Sequence, residues 1–208
     1  MKIRIPKFND CYQTVIAPDG IVLCQGLFPT DKWFNALCDH ISFKDKSFLD
    51  LGCCMFGFGL LALQEKVRCV WGIESDPKRI NQCCDIFEYL ESLDNQYTDG
   101  IGYRDQVHLI HTEVEEFDFA KYPHDIILCS MLMHWLKDPK AIIGKMAQSC
   151  NEHLVFIYRA PNPGLQEPGF RPTPEELDQV VGLHRLVNLS LSDTQEQNIR
   201  LAIYGKNI

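Results

Sequence analysis

The stretch Phe48-Leu49-Asp50-Leu51-Gly52-Cys53-Cys54-Met55-Phe56-Gly57-Phe58-Gly59 sets an apolar strand against a glycine-containing turn and the start of an apolar helix. A turn of this kind lets a ligand approach the backbone at the carboxyl end of a sheet. Downstream, Glu74 ends a second strand-like run 22 positions after Gly52, the separation at which an acidic residue accepts hydrogen bonds from a bound ribose. Turn and acid together form a nucleoside-site signature. Gly52 and Gly57 have the spacing of a phosphate-binding loop, but Phe58-Gly59 stands where lysine and a hydroxyl residue would hold phosphate and metal, so that reading fails. The dinucleotide fingerprint G-x-G-x-x-G is absent.

Outward from this stretch, short apolar runs alternate with helical patterns. Ser47–Leu51, Cys69–Ile73, Val107–His111, Asp125–Ser130 and His153–Tyr158 read as strands. The clearest helix spans Pro77–Leu93, with Asp76 as its cap and Ile80, Cys83, Cys84, Phe87 and Leu90 as its inward face. A second follows Asp138-Pro139 and turns Ile142, Ile143 and Met146 inward; an earlier one from Asp31 buries Trp33, Phe34, Leu37 and Ile41. Alternation of this kind implies a parallel sheet covered on both faces. Thr173-Pro174-Glu175-Glu176 is a capping box that opens a last helix. Arg185–Leu191 and Asn198–Tyr204 then read as strands with only Ser192–Gln197 between them, too few residues for a crossover helix, so the final strand runs antiparallel. The expected fold is α/β: a Rossmann-like seven-stranded sheet, mostly parallel with an antiparallel last strand. Asp94–Asp105 and Ala160–Arg171 are the loop-rich insertions.

The whole chain bounds these readings. At 208 residues, 46% hydrophobic and 23% charged, it has the length and composition of one globular domain. Its net charge of -8 has the wrong sign for non-specific binding of a phosphate backbone. The ten cysteines include no C-x-x-C pair and read mostly as buried reduced thiols. Met1–Pro6 lacks the pattern of a secretory signal and no apolar run reaches the ~20 residues of a membrane span, so the expectation is a cytoplasmic protein without a membrane partner. The histidines lack zinc-site spacing, and no metal is expected.

From Lys44 onward the chain resembles a class I S-adenosylmethionine-dependent methyltransferase, with several motifs in order. Phe48–Cys53 is similar to that family's first motif, Trp71–Glu74 to the stretch whose acid binds the ribose, His111–Val114 to the element beside the adenine, and Asp125–Leu136 to the fourth strand with its following turn. The resemblance implies S-adenosylmethionine as cofactor, bound by Asp50, Gly52, Cys53, Cys54, Phe56, Gly57, Glu74, Ser75, Glu113, Val114 and Ser130. Phe56 and Cys54 replace glycines common in the family, and a ring at Phe56 is expected to crowd the methionine moiety unless the turn shifts toward Gly57 and Gly59. A shorter similarity, Pro18–Leu23 with Trp33, points to wobble-uridine tRNA methyltransferases and their small-molecule relatives.

Methyl transfer asks the protein for alignment, exclusion of water and, where needed, a base. His134, just beyond the fourth strand, is the candidate catalytic base, and Tyr158 and Arg159 are rim residues that could orient an acceptor. Ser130-Met131-Leu132-Met133 replaces the Asp/Asn-Pro-Pro-aromatic tetrapeptide of exocyclic-amine methylation, and Cys129 lacks the proline that precedes a nucleophilic thiol in cytosine-C5 enzymes. The acidic balance favours a small-molecule acceptor; tRNA or another RNA is the next reading, and a non-catalytic binding or regulatory protein the third. In domain terms, residues 1–43 read as a segment covering the cleft and residues 44–208 as the cofactor-binding domain.

Overall fold

A computed structural model of the chain describes residues 6, 8, 11–17, 19–92, 103–161, 168–191 and 198–206. In chain order these form strands β1 (Val15–Ile16) and β2 (Val22–Cys24), helix α1 (Thr30–Cys38), β3 (Ser47–Leu51), α2 (Gly57–Gln64), β4 (Cys69–Glu74), α3 (Pro77–Ser92), α4 (Tyr103–Gln106), β5 (Val107–His111), β6 (His124–Ser130), α5 (Pro139–Ser149), β7 (Cys150–Arg159), α6 (Pro174–Val181), β8 (His184–Ser190) and β9 (Ile199–Gly205). A 3-10 turn at Val114–Glu116 lies between β5 and β6. The seven-stranded sheet has the order β5-β4-β3-β6-β7-β9-β8, and β9 runs antiparallel to both β7 and β8. The expected Rossmann-like architecture with one reversed strand is the observed one. The chain divides into two compact units, residues 1–113 and 114–208.

In the first unit, β4 pairs in parallel with β3 and with β5. All five residues of β3 are buried, as a central parallel strand covered on both faces requires. Behind it stands an aromatic cluster in which Phe43 lies 4.8 Å from Phe34 and 5.5 Å from Phe48 between ring centroids. Each such ring removed from water contributes roughly 1.5–3 kcal/mol. α3 corrects the sequence reading of its face. Cys83 and Leu90 point inward with Ile86 and Tyr89, whereas Cys84 is exposed. At 3.6 residues per turn the inward stripe runs through 83, 86 and 90 and leaves position 84 about 100° away. The end of the expected helix, at Leu93, and most of the insertion Asp94–Asp105 lie outside the described residues. α1 buries Trp33, Phe34 and Leu37 as expected, while Ile41 is buried just beyond the helix end.

The antiparallel pair β1–β2 was not foreseen as strands. Each is only two or three residues long, too short for alternation to register in the sequence. Cys11 and Cys24 form a disulfide there, an exception to the reading of mostly reduced thiols. Among the remaining eight, Cys53, Cys83, Cys129 and Cys150 are buried.

In the second unit β6 pairs in parallel with β7. α5 opens with the Asp138 side chain accepting from the Ala141 amide, and buries Ile142, Ile143 and Met146 as expected. α6 has the full capping box: Thr173 Oγ1 accepts from the Glu176 amide at 3.2 Å, and Glu176 Oε2 accepts from the Thr173 amide at 2.8 Å. No helix among the described residues is long and apolar enough to cross a membrane.

Candidate functional site

The turn after β3 is built from backbone that side chains normally avoid. Gly52 has φ 65°, Cys54 φ 53° and Phe56 φ 64°, so three alternate residues adopt the left-handed conformation. Only the first is glycine; each of the others costs roughly 1–2 kcal/mol. The turn keeps a glycine-loop backbone while carrying a thiol and a phenyl ring. Its hydrogen bonds hold it in place: the Cys53 amide donates to the Ile73 carbonyl at 3.0 Å, and the Phe56 amide to the Cys53 carbonyl at 2.8 Å.

The Phe56 ring does not point into open space. It is fully buried and meets the Phe87 ring edge-on with centroids 5.0 Å apart. Glycines at two positions make room for it. A Cβ on Gly72 would lie 2.6 Å from the ring and 2.8 Å from Cys53 Sγ; a Cβ on Gly59 would also overlap the ring. The expected crowding by Phe56 is thereby resolved in the core, where two residues without side chains accommodate one oversized ring.

Glu74, at the end of β4, is tied to this turn. Its Oε2 accepts from the Cys54 amide at 2.8 Å, and its Oε1 accepts from the Ser75 and Asp76 amides at 2.9 Å each. An ionised carboxylate offers about four acceptor sites, so roughly one remains for a ligand. The Thr112 amide donates to the Glu74 carbonyl at 3.1 Å, which brings exposed Glu113, one residue on, to the same strand end. Asp50 is fully buried, and neither of its carboxylate oxygens has a hydrogen-bond partner. Burial, with a smaller contribution from the Glu74 charge, holds its carboxyl well above the usual carboxylate range.

Gly57 opens α2. A Cβ there would stand 3.2 Å from both Gln13 Oε1 and the Thr14 carbonyl. Gln13 is buried and its Oε1 is unpartnered. A lone glutamine 44 residues before the helix carries no sequence signal, and it was missed. Gly72 did leave one: a glycine inside a strand marks a close approach of another group.

The other expected residues belong to the second unit. Val114 and Ser130 are buried, at 6% and 8% exposure. The Met131 amide donates to the Ile157 carbonyl at 2.7 Å, fixing the turn after β6. His134 is half-buried, its ring 5.1 Å from that of Trp135, which is 76% exposed. Gly169, at φ +84°, packs so closely on the His134 backbone that any Cβ would overlap it. Cys129 is buried on β6. Burial pushes the Cys54 and Cys150 thiols up to about 12, the range of unreactive thiols.

The family described as a methyltransferase domain matches residues 49–153, half of the chain. The chain belongs to this family. It is a methyltransferase, and solved structures that share its fold hold bound SAM or SAH. The fold has many counterparts among solved structures. Magnesium protoporphyrin IX methyltransferase (ChlM) from Synechocystis PCC 6803, with bound SAM, is 14% identical with a TM-score of 0.62, over 86% of this chain and 78% of that one. The N-methyltransferase NodS from Bradyrhizobium japonicum WM9 is 16% identical with a TM-score of 0.63, over 86% of this chain and 98% of that one. The pyocyanin biosynthetic protein PhzM is 16% identical with a TM-score of 0.58, over 86% of this chain and 55% of that one. No curated protein matches the sequence.

The first unit of this methyltransferase fits the cofactor's chemistry. S-adenosylmethionine presents hydroxyl and ammonium donors, and the unit supplies acceptors the chain leaves unused: both oxygens of Asp50, one site on Glu74 and Gln13 Oε1.

Proposed function

We propose that the enzyme methylates a small-molecule acceptor, with Asp50, Gly52, Cys53, Cys54, Gly57, Glu74, Ser75 and Glu113 as its cofactor-binding residues and His134 as its base. The observation that carries this reading is the clamped carboxylate of Glu74: three backbone amides fix it against the turn and leave one acceptor site. Preorganisation of this kind removes an ordering cost from binding. Cys54 contributes its amide and Phe56 its left-handed backbone, since the ring is committed to the core.

The cofactor supplies an electrophilic methyl group on a sulfonium. What the chain adds is placement, exclusion of water and a destination for the acceptor's proton. With the cofactor bound, the His134 imidazole would take the proton that the acceptor gives up on methylation. Support for a small acceptor comes from the net charge of -8 and from neighbours in fold whose names concern a porphyrin and the pyocyanin pathway.

Calorimetry with S-adenosylmethionine and its demethylated product tests the cofactor site. Wild type is expected to bind with a Kd on the order of micromolar, and Glu74→Ala to lose at least about 100-fold, or ~2.7 kcal/mol. Folded wild type that binds neither compound would reduce the domain to a non-catalytic partner. Radiolabelled methyl transfer into fractionated cell extract then identifies the acceptor class: label that survives ribonuclease supports the small molecule, and label that ribonuclease removes overturns it.

A further inference from the structure

The second unit carries a polar row that the reaction described above does not use. β7, β9 and β8 pair antiparallel, so directly opposite residues share a face with Cβ atoms about 5 Å apart. The register sets Tyr158, Arg200 and Ser190 in one row, Phe156, Ala202 and Asn188 in the next, and Leu154, Tyr204 and Arg185 in a third. The first row lies at the carboxyl end of β7. The third is closed: the Tyr204 hydroxyl donates to Asp178 Oδ1 at 2.8 Å, and Arg185 Nη1 pairs with Asp178 Oδ2 at 3.2 Å.

The first row is open. Tyr158 is 2% exposed, yet its hydroxyl has no hydrogen-bond partner. Arg200 Nε is also buried and unpartnered, and among the described residues no carboxylate pairs with that guanidinium. Asn188 Oδ1, one row further, is likewise unpartnered. Buried polar groups in folded proteins are almost always satisfied, so three on one sheet face mark a position built for something else. Burial pushes the Tyr158 phenol up to about 12 against the opposing influence of Arg200 and Arg185, with Asp178 and Glu175 adding to the rise, so at neutral pH the hydroxyl is a donor. Ala202 and the Phe156 ring are the apolar neighbours in the next row, and Ser190, which completes the first row on the last strand of the sheet, is exposed.

We infer that Tyr158 and Arg200, with the Asn188 amide beside them, form a subsite for a carboxylate group of the acceptor. A hydroxyl donor and a guanidinium with which no described carboxylate pairs match a carboxylate's two oxygens and its charge; of the anions that act on Tyr158, Asp178 is committed to Tyr204 and Arg185, and Glu175 is the other. Asn188 receives a hydroxyl or amine next to that carboxylate. The assignment of the ligand as acceptor rests on the methyltransferase reading; the carboxylate chemistry does not.

The test titrates acetate, glycolate and benzoate, each beside its neutral amide, into the full-length protein and follows binding by calorimetry and amide NMR. At least one carboxylate should bind about tenfold more tightly than its amide. Arg200→Gln should weaken that carboxylate at least about tenfold, and Tyr158→Phe several-fold, while affinity for S-adenosylhomocysteine stays at the wild-type value. The subsite is overturned if none of the three carboxylates outbinds its amide, or if Arg200→Gln leaves carboxylate affinity unchanged. Should Arg200→Gln fail to fold, the isosteric Tyr158→Phe decides on the same criterion. Loss of S-adenosylhomocysteine binding with carboxylate binding intact would sink the methyltransferase reading alone, and the reverse would sink the subsite alone.

Discussion

The turn after β3 and one face of β7, β9 and β8 present polar groups in opposite ways. At the turn, the backbone does the work: left-handed residues at 52, 54 and 56 shape the loop, and amides of Cys54, Ser75 and Asp76 hold Glu74. On the sheet face the backbone is committed to regular pairing, and side chains supply the chemistry through Tyr158, Arg200 and Asn188. Backbone amides are fixed in number and direction, so a loop that uses them must adopt strained angles. This sheet face needs no strain, but leaves the Tyr158 hydroxyl, Arg200 Nε and Asn188 Oδ1 unpaired instead. The two regions therefore carry different costs, backbone conformation in one and desolvation in the other.

The largest expected effect tests whether the Phe56 ring is part of the core or an obstruction at the turn. Phe56→Ala should destabilise the protein by about 3–5 kcal/mol in urea denaturation, as loss of a buried phenylalanine does. Gly72→Ala should cost about 1–3 kcal/mol through overlap with the same ring. In the double variant the two penalties should fall short of their sum, because the added methyl occupies space the ring has left. Full additivity would mean that the ring and Gly72 do not share that space.

A second effect concerns Asp50. The native carboxyl holds its proton to higher pH than the unfolded chain, where the group titrates near the ordinary aspartate value of 3.8. Over the window from 3.8 up to the native pKa the folded state binds more protons, so stability falls as pH rises, by as much as about 1.4 kcal/mol per pH unit. Asp50→Asn should remove this slope and be more stable than wild type at neutral pH, as measured by denaturation at a series of pH values. An unchanged slope would place the desolvation cost elsewhere.

The smallest effect belongs to the second unit. Thr173→Ala removes the hydroxyl that caps α6 and should cost about 1 kcal/mol. Because Asp178 of α6 holds Tyr204 and Arg185, fraying of this helix should weaken the closed row of the sheet face while leaving affinity for S-adenosylhomocysteine as in wild type.

Much of the fold was legible beforehand because burial leaves a periodic trace. β3 and β5 have the bounds read from their apolar runs, and the closing hairpin followed from the six residues between its strands. The short pair β1–β2 and the inward face of α3 were less readable: the first is shorter than one period, and Cys83-Cys84 offers two similar side chains of which only geometry selects one. For the site, Glu74 was identified by its distance from the turn, but its three amide partners were not, since hydrogen bonds from the backbone carry no residue code. Gln13 and Arg200 were missed for a related reason: each meets its neighbours across a long sequence separation, and neither belongs to a motif.

The order of residues along the chain determined the alternation of strands and helices, the reversed last strand and the acidic residue beyond the turn, because period, loop length and spacing are properties of one dimension. Tertiary structure alone decided that the Phe56 ring lies beneath the turn against Gly59 and Gly72, and that Tyr158 and Arg200 share a sheet face without partners. Those outcomes depend on which side chains compete for the same volume and which polar atoms are left over, and both are settled only when distant segments pack together.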